Sequence, residues 1–392
     1  MNRCARNLDG GPVPCYLSPE HRIRARRAKQ IKETAQGTNV DDSKSAESES
    51  GAGRDGAHPG KKYASSVDVA KLAGVSQSAV SRTFTEGTSV SPKTRERVLK
   101  AAEELGYGPS LIPRIMLTHR SSLIAIVSGG LYNPFYANIV ERFAQNIQLN
   151  GHTVVFFTVS HGEYIDEIIP HIMGYRVDGI ISALSILSEN AANRCAKMKL
   201  PVVLLNGKVG NNLVTSVCSD NVAGGREVAL LMLRRGGKRF GYIAGKKGNM
   251  ASEDRLAGFM GGLVEQGISG VKIRYGEFLF EGGYRSALEL MGAKHAPDAI
   301  FCANDLMAIG AMEAIRKELG LRVPEDVMIA GFDDIQAAAW PSFELTTVRQ
   351  DAPALVDKAM TLLNQMIDGG ALQANSFHLV AAPLIERSST RR

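Results

Sequence analysis

Several features that would assign this chain of 392 residues to other protein classes are missing. It has no positively charged start followed by an apolar signal-peptide core, and no apolar run of about eighteen residues that could span a bilayer. Its five cysteines are scattered without a C-x-x-C spacing, which argues against a zinc site and a disulfide framework and favours reduced thiols. We therefore expect a cytoplasmic protein that binds no metal and no cofactor.

Catalytic and phosphate-binding signatures are also missing. The glycine runs near residues 224 and 236 do not have the G-x-G-x-x-G or G-K-[ST] spacing that cradles phosphates. The eight histidines form no H-x-x-x-H pair, and no G-x-S-x-G elbow occurs. We therefore predict that the protein is not an enzyme.

The positive charge is concentrated in one short region. The formal net charge is +6, and residues 61–120 carry ten Lys and Arg against five Asp and Glu, whereas residues 121–392 carry 26 against 27. Concentrated positive charge on a small unit is typical of proteins that contact the DNA phosphate backbone. A solvated basic face is the alternative interpretation.

Residues 1–62 show neither helical nor strand periodicity. They are rich in Gly, Ser, Glu, Asp and Arg, and they have too little apolar surface to form a core, so we predict a disordered extension. Because all segments with a folded pattern follow Lys62, we also expect the native chain to begin further along the sequence.

Three short helical patterns lie between Ser65 and Gly106. The first two flank a turn that contains Gly74, which is the arrangement of a helix-turn-helix, whose second helix enters the major groove of DNA. On a helix that begins at Ser76, we expect Gln77 and Arg82 to face outward together with two serines. Gln77 can pair with adenine, and Arg82 with guanine or a phosphate.

Beyond Ser122, short apolar strands alternate with amphipathic helices. Such alternation predicts doubly wound parallel α/β sheets, and roughly 270 residues are too many for one small sheet, so we expect two lobes. The predicted strands are Leu123–Val127, Thr153–Phe157, Gly179–Ile181, Val202–Leu205, Phe240–Ile243, Ala299–Phe301 and Val327–Ala330. The predicted helices include Phe135–Leu149, Gly225–Arg234, Arg255–Gln266 and Leu306–Leu319.

The stretch from Ser65 to Pro109 resembles the DNA-binding head of the lactose-repressor family. The resemblance is carried by the segments D-V-A-K-L-A-G-V-S, V-S-R, V-S-P-K-T-R-E-R-V and E-L-G-Y-G-P, and it extends to about Ser388. It implies a small all-α helix-turn-helix head and an α/β body of two lobes similar to periplasmic sugar-binding proteins. The domains that we predict are an extension (1–62), the head (63–108), a hinge helix and linker (109–121) and an effector-binding and dimerisation body (122–392).

The resemblance also implies that the hinge helix enters the minor groove and wedges apolar side chains between base steps. Ser110, Pro113 and Met116 replace the family's usual Asn, Ala and Leu, and each is compatible with a helix start or a wedge. We expect so short a helix to fold only when dimer and DNA are both present. The predicted DNA-binding residues are Ser76, Gln77, Ser78, Ser81, Arg82, Ser91, Lys93, Thr94, Ser110, Pro113, Arg114, Met116 and Leu117.

Several residues of the body match residues of the family's effector pocket. We interpret each of them as lying just past a predicted strand, where open α/β sheets bind ligands. Arg255 and Asp333 are the principal candidates, because a charge at such a position needs a partner and a closed cleft supplies one. Phe278 and Trp340 can offer apolar faces to a sugar ring or pack in the core. The predicted effector-binding residues are Asn133, Phe135, Asn206, Arg255, Phe278, Asn304, Asp333, Trp340 and Gln350.

Some of these polar residues have a structural alternative. Asp305, Asp334 and the pair Asp220-Asn221 can instead cap helices, and Pro134 fits the start of a helix. A pocket that combines Arg, Asp and Asn side chains with aromatic walls suits a sugar or a sugar acid. Purines and nucleosides are the alternative ligands.

The resemblance as a whole implies a homodimer that binds a roughly palindromic double-stranded operator under the control of a small-molecule effector. No leucine heptads follow Ile385, so we expect a dimer rather than a tetramer joined by a coiled coil. Three alternatives stay open, namely a periplasmic-type sugar-binding protein, a sugar-converting enzyme on the same body fold, and a DNA-binding architectural protein that ignores small molecules.

Overall fold

The computed structural model describes residues 64–85, 87–108, 120–159, 165–183, 187–207, 214–369 and 377–392. The predicted extension and the predicted hinge residues Ser110, Pro113, Arg114, Met116 and Leu117 lie outside these ranges. The described residues form two compact units, one ending at Tyr107 and the other beginning at Gly108. None of the helices in the described ranges is long and apolar enough to cross a membrane.

The first unit is a bundle of three helices. They are α1 (Ser66–Ala73), α2 (Gln77–Thr83) and α3 (Pro92–Glu104). Val69, Val80 and Val98 are fully buried where the three helices meet. One apolar side chain from each helix therefore forms the centre of the core, which leaves most polar positions facing outward.

Local signals set the ends of these helices, as the sequence predicts. Ser65, Ser76 and Ser91 each accept a backbone N–H from the first turn of the helix that follows. Gly74 ends α1 in the left-handed region at φ 61°, where a residue with a Cβ is strained. The guanidinium of Arg97, on α3, donates to the carbonyl oxygens of Ala73 and Gly74 and so fixes the turn against the third helix.

The second unit contains two lobes, each built on a sheet of six strands. The sheet of the first lobe contains β1 (Leu123–Ser128), β2 (Thr153–Thr158), β3 (Gly179–Ser182), β4 (Val202–Leu205), β5 (Val214–Ser219) and, from the end of the chain, β11 (Phe377–Val380). Their order is β11-β5-β4-β3-β1-β2, and every pair is parallel. The helices of this lobe are α4 (Pro134–Leu149), α5 (Ile169–Gly174), α6 (Glu189–Lys197) and α11 (Ala352–Ile367).

The second lobe repeats this plan with one antiparallel strand at its edge. Its strands are β6 (Phe240–Ala244), β7 (Val271–Tyr275), β8 (Ala299–Cys302), β9 (Met328–Asp333), β10 (Thr346–Arg349) and β12 (Leu384–Ile385). Their order is β12-β10-β9-β8-β6-β7, and only β12 runs antiparallel to its neighbour. The helices are α7 (Asn221–Arg234), α8 (Met250–Val264), α9 (Phe280–Met291) and α10 (Asp305–Leu319).

All seven strands named in the sequence analysis are present, and the described residues contain five others. β5 (VTSVCS) carries three hydroxyl side chains and β7 (VKIRY) is a half-exposed edge strand, so neither has the apolar run used to find the others. β12 is only two residues long. Helices α7 and α8 also begin earlier than predicted, at Asn221 rather than Gly225 and at Met250 rather than Arg255.

The chain passes between the two lobes three times. The crossings follow β5, β10 and β11, and backbone hydrogen bonds join Asp220 N to Val380 O and Arg349 N to Pro383 O at 2.8 Å. The carboxyl ends of strands from both sheets meet at these crossings. Any relative movement of the lobes must therefore be absorbed by a few residues next to the polar groups described below.

Candidate functional site

The exposed face of α2 carries the four side chains predicted to face outward. Gln77, Ser78, Ser81 and Arg82 are all exposed. The Gln77 amide donates to Ser66 Oγ at 3.0 Å, and Arg82 Nε donates to the carbonyl of Ser78 at 3.3 Å. Both donors are held by weak surface hydrogen bonds that a base edge or a phosphate can replace without burying an unpaired group.

The other predicted DNA-binding residues of the head lie at helix starts. Ser76 and Ser91 cap α2 and α3, and the Ser91 hydroxyl also donates to Thr94 Oγ1 at 2.8 Å. Lys93 is exposed in the first turn of α3. Their capping role is structural, so Lys93 and the outward side chains of α2 are the groups best placed to meet a nucleic acid.

The positive charge of this region lies mainly outside the helical bundle. Residues 64–108 hold six Lys and Arg against five Asp and Glu, a net of +1, out of the +5 carried by residues 61–120. The remaining four positive charges belong to Lys61, Lys62, Arg114 and Arg120. The flanking segments therefore carry most of the positive charge of this region, and residues 64–108 are close to neutral.

In the second unit, polar side chains from both lobes converge on the carboxylate of Asp333, at the end of β9. Asn133, which caps α4 in the first lobe, donates to Asp333 Oδ2 at 3.0 Å, and the amide of Gln350 donates to Oδ1 at 2.7 Å. The Ser219 hydroxyl of the first lobe donates to Gln350 Oε1 at 2.9 Å. These buried side chains form a continuous hydrogen-bonded path from one lobe to the other across the cleft.

Arg255 supplies the positive charge of the cleft. Its Nη1 lies 3.8 Å from Asp333 Oδ1, its Nε donates to Asn221 Oδ1 at 2.8 Å, and its guanidinium carbon lies 3.7 Å from the centre of the Phe332 ring. It also donates to the carbonyl of Ala303. A planar guanidinium held on several sides is pre-organised to bind hydroxyls or a carboxylate in two-point fashion.

The position of Arg255 corrects the sequence analysis, which placed it just past a strand. It lies in the second turn of α8, and two glycines bring that helix against α7. A Cβ on Gly225 would lie 2.2 Å from Arg255 O, and one on Gly258 would lie 2.0 Å from Val222 O. The close approach of the two helices therefore places the Arg255 side chain beside Asn221.

A second buried carboxylate lies next to Asp333. Asp305 accepts a hydrogen bond from Thr347 Oγ1 at 2.6 Å and one from the backbone N–H of Ile335 at 2.9 Å. Burial, and then the negative charge of Asp333, raise the pKa of Asp305 to about 8. Burial also raises the pKa of Asp333, although Arg255, Asn133 and Gln350 oppose the shift.

The suggested capping roles are only partly right. Asp220 caps α7 as expected, but Asn221 holds Arg255 instead of acting as a cap. Asn304, not Asp305, caps α10. Asp334 pairs with Arg349 and Arg387 at 2.7 and 2.6 Å. Pro134 lies at the first position of α4, as its structural interpretation required.

The structure changes the roles that were predicted for the aromatic residues. Phe135 is buried in the core of the first lobe, whereas its neighbour Tyr136, which was not predicted, lies in the cleft with Asp333, Arg255 and Asn206 close enough to influence its pKa. Burial raises the pKa of Tyr136 to about 12. Its hydroxyl is a hydrogen-bond donor at neutral pH, as an unshifted tyrosine would also be. Trp340 is 52% exposed at the end of a 3₁₀ turn, neither in the core nor among the hydrogen-bonded cleft residues.

Two predicted asparagines differ in how their polar atoms are used. Asn304 Oδ1 accepts from the backbone N–H of Met307, and its amide donates to the carbonyl of Phe278. Asn206 is 4% exposed, and its Oδ1 is a buried acceptor with no hydrogen-bond partner among the described residues. Native proteins rarely leave such an atom unpaired, so Asn206 Oδ1 is suited to accept from a ligand hydroxyl.

Three of the predicted effector-binding residues have a strained backbone conformation. Asn206, Phe278 and Asp333 have φ values of 56°, 63° and 126°, a region that residues with a Cβ seldom adopt. Strained backbone persists only where the surroundings enforce it, and it often marks binding sites. The ring of Phe278 also occupies the space where a Cβ on Gly245 would lie, which requires glycine at that position.

No group of three or more His, Cys, Asp or Glu side chains in the described ranges is arranged to hold a metal ion. Cys195, Cys218 and Cys302 are buried, and none of these three thiols forms a disulfide. The chemistry that the cleft offers is therefore hydrogen bonding, one guanidinium, buried carboxylates and aromatic contact.

Comparison with known families matches both units. Residues 67–110 match the family described as bacterial regulatory proteins, lacI family, and residues 230–390 match a periplasmic binding protein-like domain. The chain is 31% identical over 305 residues to the HTH-type transcriptional repressor PurR of Pasteurella multocida strain Pm70, covering 77% of this chain and 91% of that protein.

Solved structures show the same architecture. A lac repressor dimer bound to operator and the anti-inducer ONPF superimposes with a TM-score of 0.76 at 28% identity, covering 84% of this chain and 99% of that chain. A complex of the transcriptional regulator CelR with cellobiose gives a TM-score of 0.62 at 29% identity, covering 83% and 99%. The fold predicted from the sequence, a helix-turn-helix head and a two-lobed α/β body, is confirmed.

Proposed function

The chain belongs to the lacI family of bacterial regulatory proteins, and on that basis we propose that it is a homodimeric, cytoplasmic repressor whose effector is a sugar or a sugar derivative. It is a DNA-binding transcriptional regulator rather than an enzyme. We further propose that α2 reads the operator through Gln77 and Arg82, and that the effector binds between the two lobes. Residues 109–121 would form the hinge, and Met116 of each protomer would be its wedging side chain.

The observation that supports the proposed effector site is the group of buried polar side chains around Asp333. Hydrogen bonds from both lobes end on this one carboxylate, and Arg255 lies beside it. A polyhydroxylated ligand can replace these bonds one for one, because a hydroxyl both donates to a carboxylate and accepts from an amide or guanidinium. Asn206 Oδ1 offers one further acceptor.

Aromatic side chains support the choice of a sugar. Tyr136 lies close to Asp333 and Arg255, and Phe278 is a partly buried aromatic residue whose carbonyl oxygen accepts from Asn304. Aromatic and polar side chains together suit the C–H face and the hydroxyl rim of a sugar ring. The CelR structure, a relative of the same fold, contains cellobiose. The same aromatic groups would suit a nucleoside, which is the second candidate class.

The experiment is a thermal-shift screen of the purified full-length protein. Cellobiose, ribose, gluconate, adenosine and guanine are added separately at millimolar concentration, and compounds that raise the melting temperature are tested for their effect on DNA retardation. We expect a sugar to raise the melting temperature by several degrees, because a ligand at a hundred times its Kd stabilises by about 2.7 kcal/mol. A response to adenosine or guanine alone would contradict the sugar assignment.

DNA binding is tested separately at low salt. The protein is incubated with a random pool of duplexes, and the retained duplexes are amplified and sequenced. We expect a roughly palindromic consensus, since a symmetric dimer presents two recognition helices. Failure to retain any duplex would contradict the proposed regulator, whatever the ligand screen shows.

A further inference from the structure

One helix of the first lobe connects the cleft with a residue near the end of the proposed hinge and linker segment, residues 109–121. Helix α11 begins at Ala352, and its N-cap Asp351 follows Gln350, whose side chain contacts both Asp333 and Ser219 across the cleft. It then runs for sixteen residues, a length of roughly 24 Å. The start of α11 is therefore attached to the same buried carboxylate that the proposed effector would contact.

The other end of α11 is attached to Arg120, which lies near the end of the proposed hinge and linker segment. Arg120 Nη1 donates to Asp368 Oδ1, and its Nη2 donates to the carbonyl oxygen of Ile367, both at 3.1 Å. A guanidinium at a helix C-terminus satisfies carbonyls that have no partner within the helix, and its charge complements the helix dipole. Arg120 thus forms a two-point clamp on the last turn of α11.

The residues after Arg120 are anchored independently to the sheet. Asp178, just before β3, accepts from the backbone N–H and the hydroxyl of Ser121 and from the N–H of Ser122, at 2.8 to 3.1 Å. This anchor does not involve α11. The chain therefore has a fixed point at residues 121–122 and a second contact, at Arg120, that follows the position of the helix.

The last turn of α11 also packs tightly against the start of β3. A Cβ on Gly179 would lie 2.8 Å from Leu363 Cδ1 and 3.4 Å from Ile367 Cδ1. The side chains of Leu355, Leu362 and Leu363 are buried against the lobe. Close-packed helices shift as rigid elements rather than deforming, so a displacement at one end of α11 is transmitted to the other.

We propose that α11 transmits changes in the cleft to the hinge, and that Arg120, paired with Asp368, is the positioning residue at which the hinge segment is coupled to that helix. This inference rests on the proposed function. Opening or closing of the cleft moves Gln350, and α11 moves with it. Because Arg120 is bonded to the last turn of α11, this movement displaces the chain of the hinge segment. The ion pair is exposed, so its contribution is to position rather than to stability.

A double-mutant cycle on the full-length protein tests this coupling without a known effector. The four proteins are the parent, Gln350→Met, Arg120→Gln and the double variant, and the measurement is the dissociation constant for a duplex selected by the parent from the random pool. Methionine keeps the size of Gln350 but removes its hydrogen bonds to Asp333 and Ser219. Ser219→Ala is a milder cleft variant if Gln350→Met unfolds at a lower temperature.

We expect Gln350→Met to change the dissociation constant at least fivefold in the parent background and less than twofold in the Arg120→Gln background. Arg120→Lys, which keeps the charge, should restore a large part of the response. The matched control is Arg226→Gln, which removes a comparably exposed ion pair with Glu265 and should leave the full response intact. If Arg120 had only a structural role, Gln350→Met would change the affinity by the same factor with and without the Arg120→Gln substitution.

An equal response in the Arg120→Gln and parent backgrounds would overturn the role of Arg120. No response to either cleft variant in the parent protein would overturn transmission by α11. A parent protein that retains no duplex would instead contradict the proposed function. The measurements therefore distinguish these three outcomes from one another.

Discussion

The recognition face of the head and the interlobe cleft place similar polar side chains in opposite surroundings. On α2, Gln77 and Arg82 are exposed and make one weak surface hydrogen bond each. In the cleft, Asp333 and Gln350 are buried and hydrogen-bonded on several sides. The side chains of α2 can therefore exchange their partners at little cost in stability, whereas any exchange of partners in the cleft would change the stability of the body.

The largest effect should follow from removing the base-reading pair. Gln77→Ala combined with Arg82→Ala should weaken binding to the selected duplex by about a hundredfold or more, because each specific base contact is worth about 1–3 kcal/mol. The melting temperature should stay within about one degree of the parent, since both side chains are exposed. Retardation assays and thermal melts measure the two quantities.

A matched control for this pair is Lys71→Ala combined with Lys100→Ala, which removes two exposed charges of the same unit from other helices. These changes should reduce affinity for all duplexes alike. Unchanged affinity in the Gln77 and Arg82 double variant would remove the proposed recognition role of α2.

In the cleft, one substitution should affect both ligand response and stability. Arg255→Ala should abolish the thermal shift given by the effector, and it should destabilise the body by about 3 kcal/mol, because it leaves the Asp333 carboxylate buried beside Asp305 without its counter-charge. Urea denaturation gives the free energy of unfolding. Retardation of nonspecific DNA should persist, because the head remains intact.

For this prediction, Arg349→Ala serves as the control, since it removes an exposed arginine that pairs with the neighbouring Asp334. It should cost less than about 1 kcal/mol. A normal ligand response in Arg255→Ala would refute the proposed effector site.

The buried carboxylate behind Asp333 should make stability depend on pH. The pKa of Asp305 is raised in the folded protein to about 8, so the folded state binds more protons than the unfolded state between about pH 4 and that value. Its contribution to the free energy of unfolding therefore falls as pH rises, by up to about 1.4 kcal/mol per unit. Asp305→Asn should remove this part of the slope.

Asparagine at position 305 can accept from the Ile335 N–H and donate to the Thr347 hydroxyl, so it resembles the protonated acid. Urea denaturation of the parent and the variant at pH 5, 6, 7 and 8 measures the difference. Asp326→Asn is the control, because Arg322 lowers the pKa of Asp326 to about 2 and this carboxyl does not titrate in that range. A variant with the parent's slope would contradict the assignment.

A smaller effect is expected at the turn of the head. Gly74→Ala should destabilise the helical bundle by about 1–2 kcal/mol, because φ at this position is 61° and the new Cβ would also displace Arg97 from the turn. Amide hydrogen exchange in α1 and α2 should accelerate about five- to thirtyfold, while exchange in the cleft stays unchanged.

Gly108→Ala is the matched control for Gly74→Ala. A Cβ at Gly108 meets nothing within 4 Å, and its φ lies outside the left-handed range. Equal exchange rates in the two variants would show that the geometry of the turn does not limit the stability of the head.

Sequence patterns predicted the head more completely than the cleft, for a reason visible in particular residues. Ser65, Ser76 and Gly74 act on helices within three residues of themselves, so their roles are local and can be recognised without a structure. Asn133 and Asp333 are two hundred positions apart and meet only because two sheets present their carboxyl ends to the same cleft. Tyr136, Asn221 and Ser219 were missed for the same reason.

Where prediction and structure disagree, packing decided the outcome. Phe135 and Tyr136 are adjacent aromatic residues, and only the orientation of α4 on the sheet buries the first and leaves the second in the cleft. Arg255 reaches Asp333 because two glycines let α7 and α8 approach closely, which no strand pattern reveals.

The amino-acid sequence by itself determined the helices of the head, their caps, and the alternation of strands and helices in the body, because these depend on interactions within a few residues along the chain. Only the tertiary structure decided which charged groups share the cleft, which of them are protonated more readily, and that a single helix joins Gln350 to Arg120. Those properties depend on burial and on distances between residues far apart in sequence, and both arise only when the lobes pack.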